Sequence, residues 1–144
     1  MPTSARGRQM AAPTGTTFIK GEGIMEHEDV NRALLAEFPD FTVDDDDFEN
    51  PYIVAGNFDR FILEAYNNGK KDIYRKGLHF IERLYSSESN KTRELATVGY
   101  LESLMDWPNK GELFNDFGPE SKKWWIKLHK FWSGDILALN REDD

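Results

Sequence analysis

The chain has 144 residues, no cysteine and a formal net charge of −8. This length suits one domain with a continuous core, and the absence of cysteine excludes disulfides, thiolate metal sites and a thiol nucleophile. No apolar run approaches the ~20 residues that span a bilayer, and the N-terminus lacks the apolar centre of a secretory signal. We therefore expect a soluble, cytoplasmic protein that has no membrane partner.

The charge is unevenly distributed along the chain. Residues 1–24 contain three basic residues and one acid, so residues 25–144 carry a net charge of −10. We expect no nucleic-acid partner, because binding of the phosphate backbone relies on Lys and Arg that displace counterions. A basic protein is the natural complement of such a domain. Solubility alone is the competing explanation of the charge.

Residues 1–24 are predicted to be a disordered leader in front of a single helical domain at 25–144. The leader is rich in Gly, Pro, Ser and Thr and has no periodic apolar pattern. Lys, Gly and Glu, which dominate residues 20–23, have purine-rich codons, as a ribosome-binding stretch read in frame would have. We interpret Met25 as the natural start and the leader as non-native, with a functional basic arm as the alternative.

The first predicted helix runs from Glu26 to Phe38. Val30, Leu34 and Phe38 recur on one face at helical spacing. Pro39 disfavours helical geometry at the residue before it, so the helix is expected to end there.

An acidic loop is predicted at residues 40–51. Adjacent aspartates favour neither helix nor strand, and their mutual repulsion costs stability unless a cation offsets it. The spacing does not match a calcium-binding EF-hand, because Phe48, Glu49 and Ala55 occupy positions 5, 6 and 12 of such a loop. The loop is either simply solvated or contacts a basic partner. The predicted partner-binding residues here are Asp44, Asp45, Asp46, Asp47 and Glu49.

Three amphipathic helices are predicted next, at residues 57–67, 72–86 and 91–105. Gly69 lies after the first of them as a stop signal. Gly77 and Gly99 lie within the other two, where glycine costs about 1 kcal/mol relative to alanine, so close helix crossings are expected there. The apolar run at 52–55 is interpreted as an extended or helical-turn segment pinned to the core.

The last predicted helix begins at Gly118-Pro119, after one further helical turn at 112–117, and Gly134 is expected to end it. Its apolar stripe is aromatic. Trp124 and Trp125 are adjacent and therefore point about 100° apart on a helix, so one of them can stay exposed as an interface anchor. The opposite face is expected to carry Lys122, Lys123, Lys127 and Lys130.

No motif in the sequence predicts catalysis or metal binding. His79 and Glu82 share a helix face, but the Glu-x-x-His order of a di-iron bundle is reversed and has no second copy. His129 lies between Trp125 and Trp132, so we expect it to pack among aromatic rings. Nucleophile-elbow, phosphate-loop and zinc-protease motifs are absent. We predict no catalytic residue, no metal, no cofactor and no enzymatic activity.

The pattern as a whole predicts an all-α fold. About five helices joined by short loops, with no strand ladder, are expected to pack as antiparallel hairpins. A closed bundle and a short helical-repeat-like stack both fit this pattern.

Three segments of the chain resemble a family of small helical bacterial domains of unknown function. They are residues 34–39, 94–104 and 117–125, and the helix start Gly118-Pro119-Glu120-Ser121 is the most specific element. The resemblance covers about residues 25–134 and carries over no catalytic residue. Such domains resemble immunity proteins encoded beside secreted polymorphic or contact-dependent toxins, many of which are basic nucleases.

The resulting hypothesis is a protein-binding module, an immunity protein that neutralises a basic, nuclease-type cognate toxin by direct binding through its acidic loop. One alternative is a helical-repeat adaptor or regulatory protein that binds through the Trp-rich last helix. A second alternative is a metal-dependent enzyme.

Overall fold

The computed structural model describes residues 26–108 and 110–132, which form six α-helices and no strand. The helices are α1 (Val30–Glu37, after a 3-10 turn at His27–Asp29), α2 (Pro51–Asn67), α3 (Lys71–Leu84), α4 (residues 90–104), α5 (Lys110–Asp116) and α6 (Pro119–Trp132). All six contribute side chains to one hydrophobic core. The all-α prediction is confirmed, and the predicted turn at 112–117 is part of α5. The predicted leader and the stop at Gly134 lie outside the described residues.

Helix α2 begins six residues before its predicted start, because residues 52–55 form its first turn. The Asn50 side chain accepts hydrogen bonds from the backbone N–H groups of Tyr52, at 3.1 Å, and Ile53, at 3.3 Å. Pro51 occupies the first helical position, where its missing N–H costs nothing. Val54 and Ala55 are fully buried, which accounts for the apolar run.

Helix α4 is continuous but changes its hydrogen-bonding pattern along its length. Asn90–Glu94 and Glu102–Leu104 are α-helical, whereas Leu95–Leu101 is π-helical. Such π segments are rare in proteins, and those that occur are often found at functional sites. Helix α2 lies against both this π segment and α3, so it is the central helix of the fold.

Two glycines mark places where other helices approach α2 closely. A Cβ atom on Gly77 of α3 would lie 2.6 Å from Cγ2 of Ile62 on α2. A Cβ atom on Gly99 of α4 would lie 3.3 Å from Cβ of Ala55 and 2.8 Å from Cδ1 of Leu95. The predicted close crossings are confirmed at both positions.

We expect Gly77→Ala to destabilise the protein by about 1–2 kcal/mol, despite the better helix propensity of alanine. The new methyl group would overlap Ile62, which is fully buried and, as a β-branched residue, has little rotamer freedom. Chemical denaturation measures the change. Gly111→Ala in α5 is the matched control, because its Cβ would meet nothing within 4 Å. A Gly77→Ala protein as stable as Gly111→Ala would contradict the packing described for α2 and α3.

The start of α6 is held by a carboxylate from α3. Glu82 accepts hydrogen bonds from the backbone N–H of Glu120, at 3.0 Å, and from both the N–H and the hydroxyl of Ser121, at 2.9 and 2.8 Å. A Cβ atom on Gly118 would lie 2.5 Å from the Glu82 carboxyl carbon, so only glycine leaves room for this approach. Gly118, Pro119 and Ser121 of the Gly-Pro-Glu-Ser start therefore each have a structural reason, with Pro119 in the first helical position.

Helix α1 is tied to α3 by two cationic side chains. Arg83 makes a two-pronged ion pair with Glu37, at 2.8 and 3.0 Å, and both side chains are half-buried. Lys76 donates to the backbone carbonyl of Glu37 at 2.9 Å, where a cation also suits the negative end of the helix. These contacts hold α1 and the segment that follows it in place.

Candidate functional site

The predicted acidic loop is a compact turn, which we call the acidic turn (residues 44–49). Backbone hydrogen bonds from Asp47 N–H to Asp44 O and from Asn50 N–H to Asp47 O, both 2.9 Å, close two successive reverse turns. The Asn31 side chain on α1 donates to the carbonyl of Phe48 at 2.8 Å. The acidic side chains are therefore presented from a defined backbone.

Both ends of the connection between α1 and α2 are anchored. Before the acidic turn, the buried Phe41 ring packs against Phe58 and Phe61 of α2, with centroid distances of 5.3 Å in each case. After it, Asn50 caps α2. Fixing the backbone in the free protein lowers the ordering cost of binding, so the turn is preorganised for a contact.

The charge of the acidic turn is open to solvent. Asp44, Asp45, Asp46 and Glu49 are exposed, and Asp47 is half-buried. None of the ion pairs found within residues 26–108 and 110–132 involves any of the five. The positive end of the α2 dipole follows directly and offsets part of their repulsion. What remains is a concentrated negative charge that is available to an external cation.

Three large apolar side chains at the start of α2 and on the neighbouring stretch of α4 are exposed, namely Tyr52, Ile53 and Val98, and we call them the apolar patch. Their exposed fractions are 42%, 44% and 39%. Tyr52 and Ile53 belong to the first turn of α2, and Val98 belongs to the π segment of α4. The Tyr52 ring lies over Gly99, where a Cβ would approach its Cδ1 to 3.3 Å, so the two helices form one continuous surface.

A further acid lies beside the apolar patch. Partial burial and, secondly, the charge of Glu94 raise the pKa of Tyr52 above its ordinary value. Glu94 is exposed, so the apolar patch has the acidic turn along the chain on one side and a carboxylate from α4 on another. Sequence reasoning missed this surface, because the residues that follow the loop were interpreted as pinned to the core.

The two tryptophans predicted to contact a partner differ in their surroundings. Trp125 is only 4% exposed and packs against Phe117, with ring centroids 5.2 Å apart. Trp124 is half-buried and stacks on Tyr85 at 6.4 Å. Of the pair, only Trp124 reaches the surface. Among residues 26–108 and 110–132, no ring contact or hydrogen bond joins Trp124 to the acidic turn.

The predicted basic face of α6 is only partly correct. Lys127 is buried, not exposed, with its Nζ atom 4.6 Å from the centroid of Trp124. Its aliphatic stem can lie along the ring while the ammonium group stays near the π face. Lys123 also approaches the Trp124 ring, at 6.0 Å, so both cations cover this tryptophan.

The histidines have structural surroundings. The His129 ring packs edge-on against Trp125 at 5.2 Å, as predicted, and burial together with the nearby charge of Lys110 lowers its pKa. His79 is exposed, and Glu82, its partner on the same helix face, is engaged at the start of α6. Across the described ranges, no three His, Asp or Glu side chains come together as a metal ion would require.

A buried carboxyl group on α2 was not predicted from the sequence. Asp59 on α2 is 2% exposed, and neither of its carboxylate oxygens has a hydrogen-bond partner among the described residues. The same holds for the hydroxyl of Tyr100 on the π segment. Ala55, Asp59 and Ile62 follow helical spacing on one face of α2, and this spacing was the available signal.

Burial raises the pKa of the Asp59 carboxyl well above its usual range. The nearby Ser103 hydroxyl lowers the pKa of Asp59, but by less than burial raises it. Burial and the proximity of Asp59 likewise raise the pKa of Tyr100. A strongly perturbed carboxyl group is a typical mark of an active site. Here it is closed to solvent, so a substrate cannot reach it in this conformation.

A separate open depression is lined by Glu102, Met105, Asp106 and Lys110, which belong to α4, α5 and their connection. Within the described part of the chain, no helix is long and apolar enough to cross a membrane. The acidic turn and the apolar patch together are the best-defined candidate site.

Comparisons with curated proteins and with solved structures found no match to this chain. A family model does match it, over residues 31–133. That range contains the acidic turn, the apolar patch and the Gly-Pro-Glu-Ser start of α6, and it covers more than half of the chain. The chain therefore belongs to the family described as domain of unknown function DUF7674.

Proposed function

We propose that the protein is a non-enzymatic binding module that neutralises a basic partner protein by covering its cationic surface. The partner in this proposal is a cognate bacterial toxin of the nuclease type, and the protein acts as its immunity protein in the cytoplasm. The observation that carries the proposal is the acidic turn, whose five carboxylates are held on an anchored backbone without an internal counter-charge among the described residues.

The charge of the acidic turn is complementary to that of the substrate surface of a nuclease. A nuclease holds the phosphate backbone with Lys and Arg, so its substrate surface is positively charged. Carboxylates presented from a preformed turn can pair with the same cations and exclude nucleic acid from them. Attraction between opposite charges also raises the association rate, by roughly 10-fold to 1,000-fold. Fast association suits an inhibitor that must bind before damage occurs.

The proposal is tested by coexpression with the protein encoded by the adjacent gene. We expect that protein to be toxic alone, to be harmless when coexpressed with this chain, and to copurify with it. A neighbour that is harmless alone, or that does not copurify, would overturn the proposal.

Replacing all four aspartates of residues 44–47 with asparagine is expected to slow association with that partner by at least about tenfold at low salt. The substitutions remove the steering charge and leave the fold intact, because surface changes usually alter stability by less than about 0.5 kcal/mol. Stopped-flow or surface-based kinetics measures the rate. A matched control removes four exposed acids elsewhere, by Glu64→Gln, Asp72→Asn, Glu88→Gln and Asp106→Asn. Equal slowing in both variants would show that net charge, and not the acidic turn, governs binding.

A further inference from the structure

We infer that the apolar patch is the centre of the partner interface and that the acidic turn and Glu94 form its charged rim. The partner surface that fits is basic at its edge and apolar at its middle. This inference rests on the proposed function and deepens it, because it identifies which contacts hold the complex together after the charges have guided it into place.

Two residues of the apolar patch closely follow the acidic turn along the chain. Tyr52 and Ile53 stand two and three positions after Asn50, the residue that follows the acidic turn and caps α2. A partner that pairs with the acidic turn therefore meets the chain within a few residues of the first turn of α2. Val98 extends the same surface across the seam between α2 and α4, where Tyr52 lies over Gly99.

The exposure of large apolar side chains in the apolar patch also favours an interface there. Tyr52, Ile53 and Val98 are three of the four large apolar side chains in the described residues that are strongly exposed, and the fourth is Ile126 on α6. Single exposed apolar residues are ordinary, but a cluster rimmed by polar groups typically marks an interaction site. Tyrosine at such a position supplies contact area at low entropic cost and is enriched in interface hot spots.

The charges around the apolar patch indicate which class of partner fits it. A second copy of this chain would bring its own acidic turn toward this one, and the like charges would oppose association. A nucleic acid or an anionic membrane is repelled for the same reason. Only a protein that carries Lys or Arg around an apolar contact satisfies both the rim and the centre. Interfaces typically have this arrangement, with a desolvated core inside a polar rim.

The test separates rim from centre by kinetics, using the purified adjacent-gene protein as the probe. Truncating an interface centre mainly raises the dissociation rate, whereas removing rim charges mainly lowers the association rate and its salt dependence. We expect Tyr52→Ala combined with Ile53→Ala to weaken the complex about 30-fold or more through faster dissociation. The association rate and its salt dependence should stay close to those of the wild type.

Two further variants test whether faster dissociation comes from lost contacts of the apolar patch. Ile53→Ala with Val98→Ala leaves the Tyr52–Gly99 contact intact, so it distinguishes lost binding from a disturbed helix seam, and thermal unfolding of each variant is recorded. Ile126→Ala is the matched control, since Ile126 is 42% exposed but lies on α6. We expect the first variant to speed dissociation about tenfold or more and the control to bind like the wild type.

The outcomes separate the two proposals. A complex that forms, depends on the acidic turn, and is unaffected by either apolar-patch variant overturns the inference and leaves the proposed function standing. Equal weakening by Ile126→Ala also overturns it. The absence of any complex with the wild-type protein overturns the proposed function and the inference with it.

Discussion

Replacing Glu82 with alanine is expected to destabilise the protein by about 2–3 kcal/mol, one of the two largest effects that the structure predicts. The substitution removes the acceptor of two backbone N–H groups and of the Ser121 hydroxyl, and Ser121 is fully buried. Its hydroxyl and N–H would lose their partner, and α6 would lose the negative charge at its positive end. Urea denaturation measures the loss.

Two further variants make this prediction specific. Glu82→Gln keeps one carbonyl oxygen that can accept from Ser121 but loses the charge, so we expect an intermediate loss of stability. Glu64→Ala, at an exposed position on α2, should change stability by less than about 0.5 kcal/mol. If Glu82→Ala were as stable as Glu64→Ala, the account of how α3 and α6 are joined would be wrong.

The second large effect is a pH-dependent gain of stability in Asp59→Asn. Below the ordinary pKa of an aspartate, near 3.9, Asp59 is protonated in both the folded and the unfolded protein and contributes no pH dependence. Above it, the unfolded chain releases the proton, while the folded protein retains it because burial raises the pKa of Asp59. Each further pH unit then costs the folded state about 1.4 kcal/mol, until the folded pKa is reached. Stability that is present at low pH is thus lost as pH rises.

Asparagine has nearly the same shape and no charge, so it removes this loss. The difference in unfolding free energy between Asp59→Asn and the wild type should therefore widen from about pH 4 upward. Denaturant titrations at several pH values measure it. Asn115→Ala, which changes an exposed residue and removes no titratable group, should run parallel to the wild type. A constant difference for Asp59→Asn across this range would contradict the assignment of a buried, neutral carboxyl group.

Much of the fold follows from local sequence signals. Helical periodicity and the breaks at Pro39, Gly69 and Gly118-Pro119 place the ends of most helices within one or two residues. Gly77 and Gly99 identified the crossings, because a mid-helix glycine needs a packing reason. The error at the start of α2 was avoidable, since Asn50 followed by Pro51 is a strong helix-start signal.

Other features depend on tertiary contacts that no local pattern contains. Glu82 lies 38 residues before Glu120, so its role at the start of α6 cannot be predicted from helix propensity. The π segment arises where Leu95–Leu101 packs against α2 and α6. Burial of Lys127 defies the usual expectation for a lysine, and its contact with the Trp124 ring could not be predicted from local sequence.

Only part of the candidate site could be predicted from the sequence. The run Asp44–Asp47 is conspicuous by charge alone, and its exposure agrees with the prediction of a solvated connection. Its anchoring by Asn31 and its continuity with Tyr52 and Ile53 required the structure, because they depend on how α1 and α2 are arranged. The combination of a preformed charged turn and an adjacent apolar patch is what makes a protein partner the best-supported class.

The central claim is that the acidic turn binds a basic protein, and the salt dependence of that binding tests it most directly. The affinity of the purified wild-type protein for the adjacent-gene protein is measured by calorimetry from low to high ionic strength, alongside the variant with asparagine at residues 44–47. We predict that wild-type affinity falls steeply with salt, as expected for exposed charges screened within about 10 Å at 0.1 M, and that the variant has a much shallower slope. Identical slopes for the two proteins would contradict the claim.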